Sequence, residues 1–176
     1  MYFSALAHPD TSSHLRHLFD VPALSGDRTG APTLLLPIDA SIASEHAVDY
    51  VARNLAGTAG RVHVLNVQQS DIDDPELLHA MPALAAAQRK AGQRLTWKAA
   101  LRLAAARIQH RSRVAFGHVA ETIVREAEEQ RCSLIVMGTR ARHQAMELLA
   151  GSIPRRVIRM TPVPVLLVRH QPGRQG

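Results

Sequence analysis

The chain is nearly devoid of cysteine. Cys132 stands alone, so an internal disulfide and any cysteine-rich zinc site are excluded. A lone thiol fits a small packed residue in a reducing compartment. Aromatic residues are also scarce, 3% against 46% hydrophobic residues. The core must then be built from Val, Leu, Ile and Ala, which favours helices packed on a parallel sheet over a β-sandwich. No apolar run approaches the roughly 20 residues that span a bilayer. The start MYFSALAHPD lacks the basic and apolar regions of a secretory signal. A cytoplasmic protein without a membrane partner is expected.

Acids are missing from long stretches. Between Leu77 and Ala120 there is no Asp or Glu against eight Lys and Arg, and after Gln130 only Glu147 faces eight Arg, within a net charge of +6. Such an imbalance attracts phosphates, nucleic acid or acidic partners. Lys90, Arg94, Lys98 and Arg102 recur every fourth residue, as one helix face. Without interleaved aromatics or a reading motif, this stripe reads as a solvated basic face, and nucleic acid is not the expected partner.

The familiar catalytic and phosphate motifs are absent as well. There is no GxxxxGK[ST], no GxGxxG after the first strand and no GxSxG. Walker-type, dinucleotide-binding and nucleophile-elbow readings fall with them. His14 and His17 are spaced to share a metal, but no third ligand lies at a fixed distance, so a metal site is not expected. His143 has only Glu147 near it in sequence, too little for a general base.

What is present alternates between strand and helix. A length of 176 residues predicts one domain, with residues 1–31 as an N-terminal extension, 32–170 as the domain and 171–176 as a polar tail. TLLLPI (Thr33 to Ile38) reads as a buried strand delivering Asp39 at its end. A helix capped by Ser41 or Ser44 follows, with Ala47, Val48, Val51, Ala52 and Leu55 inward. RVHVLNV (Arg61 to Val67) is the second strand. An acidic connector from Gln68 to Pro82 precedes an Ala-rich helix, Ala83 to about Gln109, with Trp97, Leu101, Ala104 or Ala105, and Ile108 on its inward face.

Ser112 to Phe116 reads as the third strand. Glu121 to Gln130 is a helix with Ile123, Val124 and Ala127 inward and its acids outward, and Cys132 to Met137 is a fourth strand. A helix through Val157 and Ile158, then a fifth strand from Pro164 to Arg169, complete the order. Gly138, after the fourth strand, allows close backbone approach of a ligand. Gly151-Ser152 opens a helix, whose free N–H groups favour an anion. Together these flank one polar loop, as a phosphate grip requires.

These residues resemble the universal stress protein family. Its C-terminal signature is a glycine, two residues, a second glycine, nine residues and Gly-Ser or Gly-Thr, and it falls on Gly138, Ala141, Gly151 and Ser152. Pro37 and Asp39, VHVLNV, LIVMGTR and PVPVLLVR extend the resemblance from about Pro32 to Arg169. It implies an α/β fold, an open five-stranded parallel sheet in the order 3-2-1-4-5 with helices on both faces. That fold is Rossmann-like, of the adenine nucleotide alpha hydrolase-like type.

The resemblance also implies a ligand, ATP or a relative, with Mg²⁺ as a companion of bound ATP. Pro37, Ile38, Asp39 and Val67 would meet the nucleoside. Met137, Gly138, Thr139, Arg140, Ala141, Arg142, Gly151, Ser152 and Ile153 would surround the phosphates. One departure stands out, because Ala141 occupies the place of the second glycine. If φ is positive there, alanine costs about 1 kcal/mol; otherwise its methyl takes phosphate space.

The expected function is a non-catalytic stress-response protein that binds nucleotide and acts through a homodimer or a protein partner. The dimer would form through the last strand, Pro164 to Arg169. One alternative is a member that has lost the nucleotide and serves as a protein or nucleic-acid adaptor. Another is an ATP-dependent transferase, disfavoured because Pro37-Ile38-Asp39-Ala40-Ser41 replaces the loop such enzymes carry after strand one.

Overall fold

A computed structural model of the chain describes residues 32–57, 60–69, 81–139 and 153–169. The elements alternate: β1 (Thr33–Pro37), α1 (Ile42–Asn54), β2 (Arg61–Gln68), α2 (Pro82–Ala105), β3 (His110–Phe116), α3 (Val119–Glu129), β4 (Leu134–Thr139), α4 (Ile153–Met160) and β5 (Val165–Arg169). The five strands form one parallel sheet in the order β3-β2-β1-β4-β5. Fold class and strand order are therefore those the sequence implied. The N-terminal extension and the polar tail lie outside the described residues.

Alternate strand residues face opposite sides of a sheet, and this chain fills both with aliphatics. Leu34, Leu36, Val62, Val64, Val136, Leu166 and Val168 pack under Ala47 and Val51 of α1, Leu55 just after it, and Ala99 and Leu103 of α2. On the other face Leu35, Leu65, Ala115, Ile135 and Met137 pack under Ile123 and Ala127 of α3 and Val157 of α4. Both faces being covered is why the strands read as continuous apolar runs.

Several sequence expectations are corrected. The long helix stops at Ala105, and Arg107 at φ 57° carries the chain out of the helical region. Its inward face is Gly92, Thr96, Ala99 and Leu103, while Trp97 and Leu101 are 65% and 52% exposed and Ala104 and Ala105 are exposed too. Alanine lies all around this helix, so periodicity could not choose a face. Gly92 chooses it: a β-carbon there would lie 2.6 Å from Asn66 Oδ1 and 2.7 Å from Val114 Cγ1, so this face alone seats α2 closely on β2 and β3.

The basic stripe is also divided, because Arg102 pairs with Asp49 and Glu45 of α1. On α3 the acids do not all face outward: Glu126 is buried against Arg113 of β3, 3.1 Å away. The fourth strand runs to Thr139, so Gly138 lies within it, paired with Val168, rather than in a turn.

Candidate functional site

The strand order reverses beside β1, between β1 and β4, and open α/β sheets place ligands at such a reversal, outside the strand C-termini. Here the two strands are in register at Leu34–Leu134 and Leu35–Ile135. Ser133 N–H donates to the Thr33 carbonyl, so the odd residues of β1 turn their backbone groups to β4. Pro37 is one of these and has no N–H to give. The described pairing accordingly stops two residues below it, and the end of the sheet begins to open there.

Asp39 stands at the mouth of that opening. It is exposed, and its Oδ1 accepts from Ser41 N–H at 2.8 Å and Ser41 Oγ at 2.5 Å. Ser41 is the N-cap of α1, its Oγ accepting from Ser44 N–H at 3.2 Å. Ser44 Oγ in turn accepts from Asp39 N–H at 3.0 Å. One capping network thus fixes the helix start and the carboxylate together. No partner to Asp39 Oδ2 occurs among the described residues.

The neighbouring strand end is fixed by a residue that sequence reasoning missed. Asn66 is buried and its Nδ2 donates to the Ile38 carbonyl at 2.8 Å, while Gln68 Nε2 donates to Asn66 Oδ1 at 2.5 Å. The signal available was a polar side chain inside an otherwise apolar strand. Leu65 accepts from Ile38 N–H, so the odd residues of β2 face β1. By that parity Val67 turns its backbone N–H and carbonyl toward β1 where β1 has already ended.

Gly138 has a structural duty. A β-carbon there would lie 1.9 Å from the Ala43 carbonyl oxygen and 2.8 Å from Ser44 N, so the first turn of α1 sits directly on it. Met137 and Thr139 are buried, and Ile153 opens α4 half-buried against the core cluster that contains Met137. Arg140, Ala141, Arg142, Gly151 and Ser152, with His143, lie outside the described residues, as do His14 and His17. No group of three or more metal-ligating side chains occurs among the described residues, and no helix among them is long and apolar enough to cross a membrane.

A crevice of about 20 Å³ beside Asp39 is lined by Ile38, Ser44, Glu45, Lys98 and Arg102, enough for a water rather than a nucleobase. Its surroundings combine two carboxylates, Asp39 and Glu45, with two cations, Lys98 and Arg102. It contains no pairing of a nucleophile with a base.

A family-level comparison matches residues 31–169 to the universal stress protein family. No curated protein matches the chain. Among solved structures, a universal stress protein family protein from Burkholderia pseudomallei is 26% identical, with TM-score 0.60 over 81% of this chain and 98% of that one. One from Arabidopsis thaliana, solved with AMP bound, is 15% identical, with TM-score 0.61 over 80% of this chain and 93% of that one. A universal stress protein in complex with cAMP is 22% identical, with TM-score 0.58 over 81% of this chain and all of that one, 100%. The parallel sheet in the order β3-β2-β1-β4-β5, the Pro37–Asp39 strand end and a match over residues 31–169 agree, and the chain belongs to the universal stress protein family.

Proposed function

We propose that this protein is a non-catalytic, nucleotide-responsive stress protein. ATP or a related adenine nucleotide binds across the C-terminal ends of β1, β2 and β4 and changes how the protein associates. The observation that carries this reading is the Asp39 carboxylate, held at the strand reversal by Ser41 with Oδ2 directed to no described partner. Asp39 and the backbone of Val67 take the nucleoside. Gly138 and Thr139, then Arg140, Ala141 and Arg142, with Gly151, Ser152 and Ile153, take the phosphates, and Mg²⁺ accompanies a bound triphosphate. The relatives solved with AMP and with cAMP make adenine nucleotides the ligand class to test first.

The absence of nucleophile motifs from the sequence favours binding over turnover. Association runs through the free edge of β5, an open apolar edge that pairing with a second copy would cover. Ile135 N–H donates to the Pro164 carbonyl, so Leu167 turns its N–H away from β4. Leu167→Pro thus removes a donor that the sheet does not use, and an unchanged dimer mass by light scattering places the interface elsewhere.

Equilibrium titration with ATP, ADP and AMP tests the ligand. Saturable binding below about a millimolar is expected, weakened about tenfold by Asp39→Asn and tightened about fivefold by Ala141→Gly. No saturable binding by any of the three rejects the nucleotide.

A further inference from the structure

A second concavity, about 300 Å³, runs along the outer edge of β3. One wall is α2, through Arg89, Gln93, Thr96 and Trp97, and the other is β3, through Ser112 and Val114. β3 is an edge strand, and its ladder parity is fixed at both ends: Val62 N–H donates to the Gln109 carbonyl and Gly117 N–H to the Gln68 carbonyl. The odd residues of β3 therefore bond β2. Ser112 and Val114 turn their N–H and carbonyl groups outward, into the groove.

The groove is lined by apolar, polar and basic side chains together. Trp97 is 65% exposed, and the Arg89 guanidinium lies 5.1 Å above the Phe116 ring. Arg89 lines the groove, with Lys90 next to it in sequence, and neither forms an ion pair among the described residues. No acid occurs in sequence between Leu77 and Ala120 to neutralise them. Arg113, at the same edge, is held by Glu126.

We propose that this edge docks an extended acidic segment of a protein partner, which adds to the sheet as a sixth strand. Its backbone pairs with Ser112 and Val114, an apolar side chain covers Trp97, and its carboxylates meet Arg89 and Arg113. A row of free backbone donors and acceptors beside a helix is complementary to another peptide backbone. A single strand of nucleic acid is less well served, because it binds on a succession of aromatic platforms and only Trp97 is offered. A second copy joined by this edge would set Arg111 and Arg113 of both chains near one another, a like-charge arrangement that disfavours pairing.

Trp97 is the only tryptophan in the chain, so its fluorescence reports on the groove directly. The full chain is titrated with a panel of acidic, strand-forming octapeptides, their lysine counterparts and a decauridylate, with amide hydrogen exchange read in parallel. Acidic peptides are expected to bind saturably, to change Trp97 emission and to slow exchange at Ser112 and Val114. Binding should weaken about tenfold in Trp97→Ala and about fivefold in Arg89→Ala, both exposed positions at which folding is retained. Four results overturn the proposal: no acidic peptide binding below about a millimolar, equal binding of acidic and basic peptides, tighter binding of the decauridylate, or binding that leaves the Ser112 and Val114 amides unprotected.

Discussion

Gly138 of β4 and Ala43 of α1 are packed so closely that a β-carbon on Gly138 would lie 1.9 Å from the Ala43 carbonyl oxygen. The obstacle is backbone, which cannot rotate aside as a side-chain end can. Gly138→Ala must therefore lift the start of α1 off the sheet. A loss of about 3 kcal/mol in urea unfolding is expected, at the upper end for an added methyl. Unchanged stability would show that α1 can shift freely.

Ser41 couples the helix start to the candidate site. Ser41→Ala removes the side-chain cap of α1 and one of the two bonds that hold Asp39 Oδ1. Stability should fall by about 1 kcal/mol, and ATP affinity should fall with it. Asp39→Asn, at an exposed position, should weaken ATP while leaving the thermal midpoint nearly unchanged. Equal stability losses in the two variants would show instead that the carboxylate and the cap act as one structural unit.

His63 makes stability depend on pH. It is buried on β2, where Arg111 Nε donates to its Nδ1 at 3.3 Å, a bond that only a ring unprotonated at Nδ1 accepts. Burial first, then the charges of Arg111 and Arg61, push its pKa down from 6.5 to about 4. Between pH 6.5 and about 4 the unfolded chain binds a proton that the native protein refuses. The contribution of His63 is thus complete above the upper value, declines as pH falls through this window and levels off below it. His63→Gln has no such titration. The urea midpoint of the wild type should fall relative to the variant on acidification across the window, and a pH-independent difference would refute the assignment.

The Arg113–Glu126 pair ties the sheet edge to α3. Its carboxylate side chain is only 3% exposed, whereas the Arg113 side chain is 58% exposed and partly screened by water. Arg113→Ala should therefore cost about 1–2 kcal/mol, less than the loss typical of a fully buried pair. Replacing both partners, Arg113→Met with Glu126→Met, should recover most of that stability by removing the stranded charge. Chemical denaturation of the single and double variants checks both statements.

The sequence by itself determined the fold. Strand after strand of unbroken aliphatics, with helices between, leaves few arrangements other than a covered parallel sheet, and the family signature selects the order that the strands adopt. It also marked the strand ends from which the candidate site is assembled, Pro37 and Asp39 above all, because proline and a carboxylate after an apolar run carry their own local physics. Tertiary structure decided which side of each element faces what. The alanine-rich α2 carries no dominant stripe, so its contact face follows from Gly92 over Asn66 and Val114. Glu126 turns inward because Arg113, thirteen residues earlier on another element, waits there. Gly138 has the same character: its residue type was legible as a place of close approach, but only packing decided that the backbone of Ala43 is what approaches. Contacts between distant segments set these outcomes, and no local pattern encodes them.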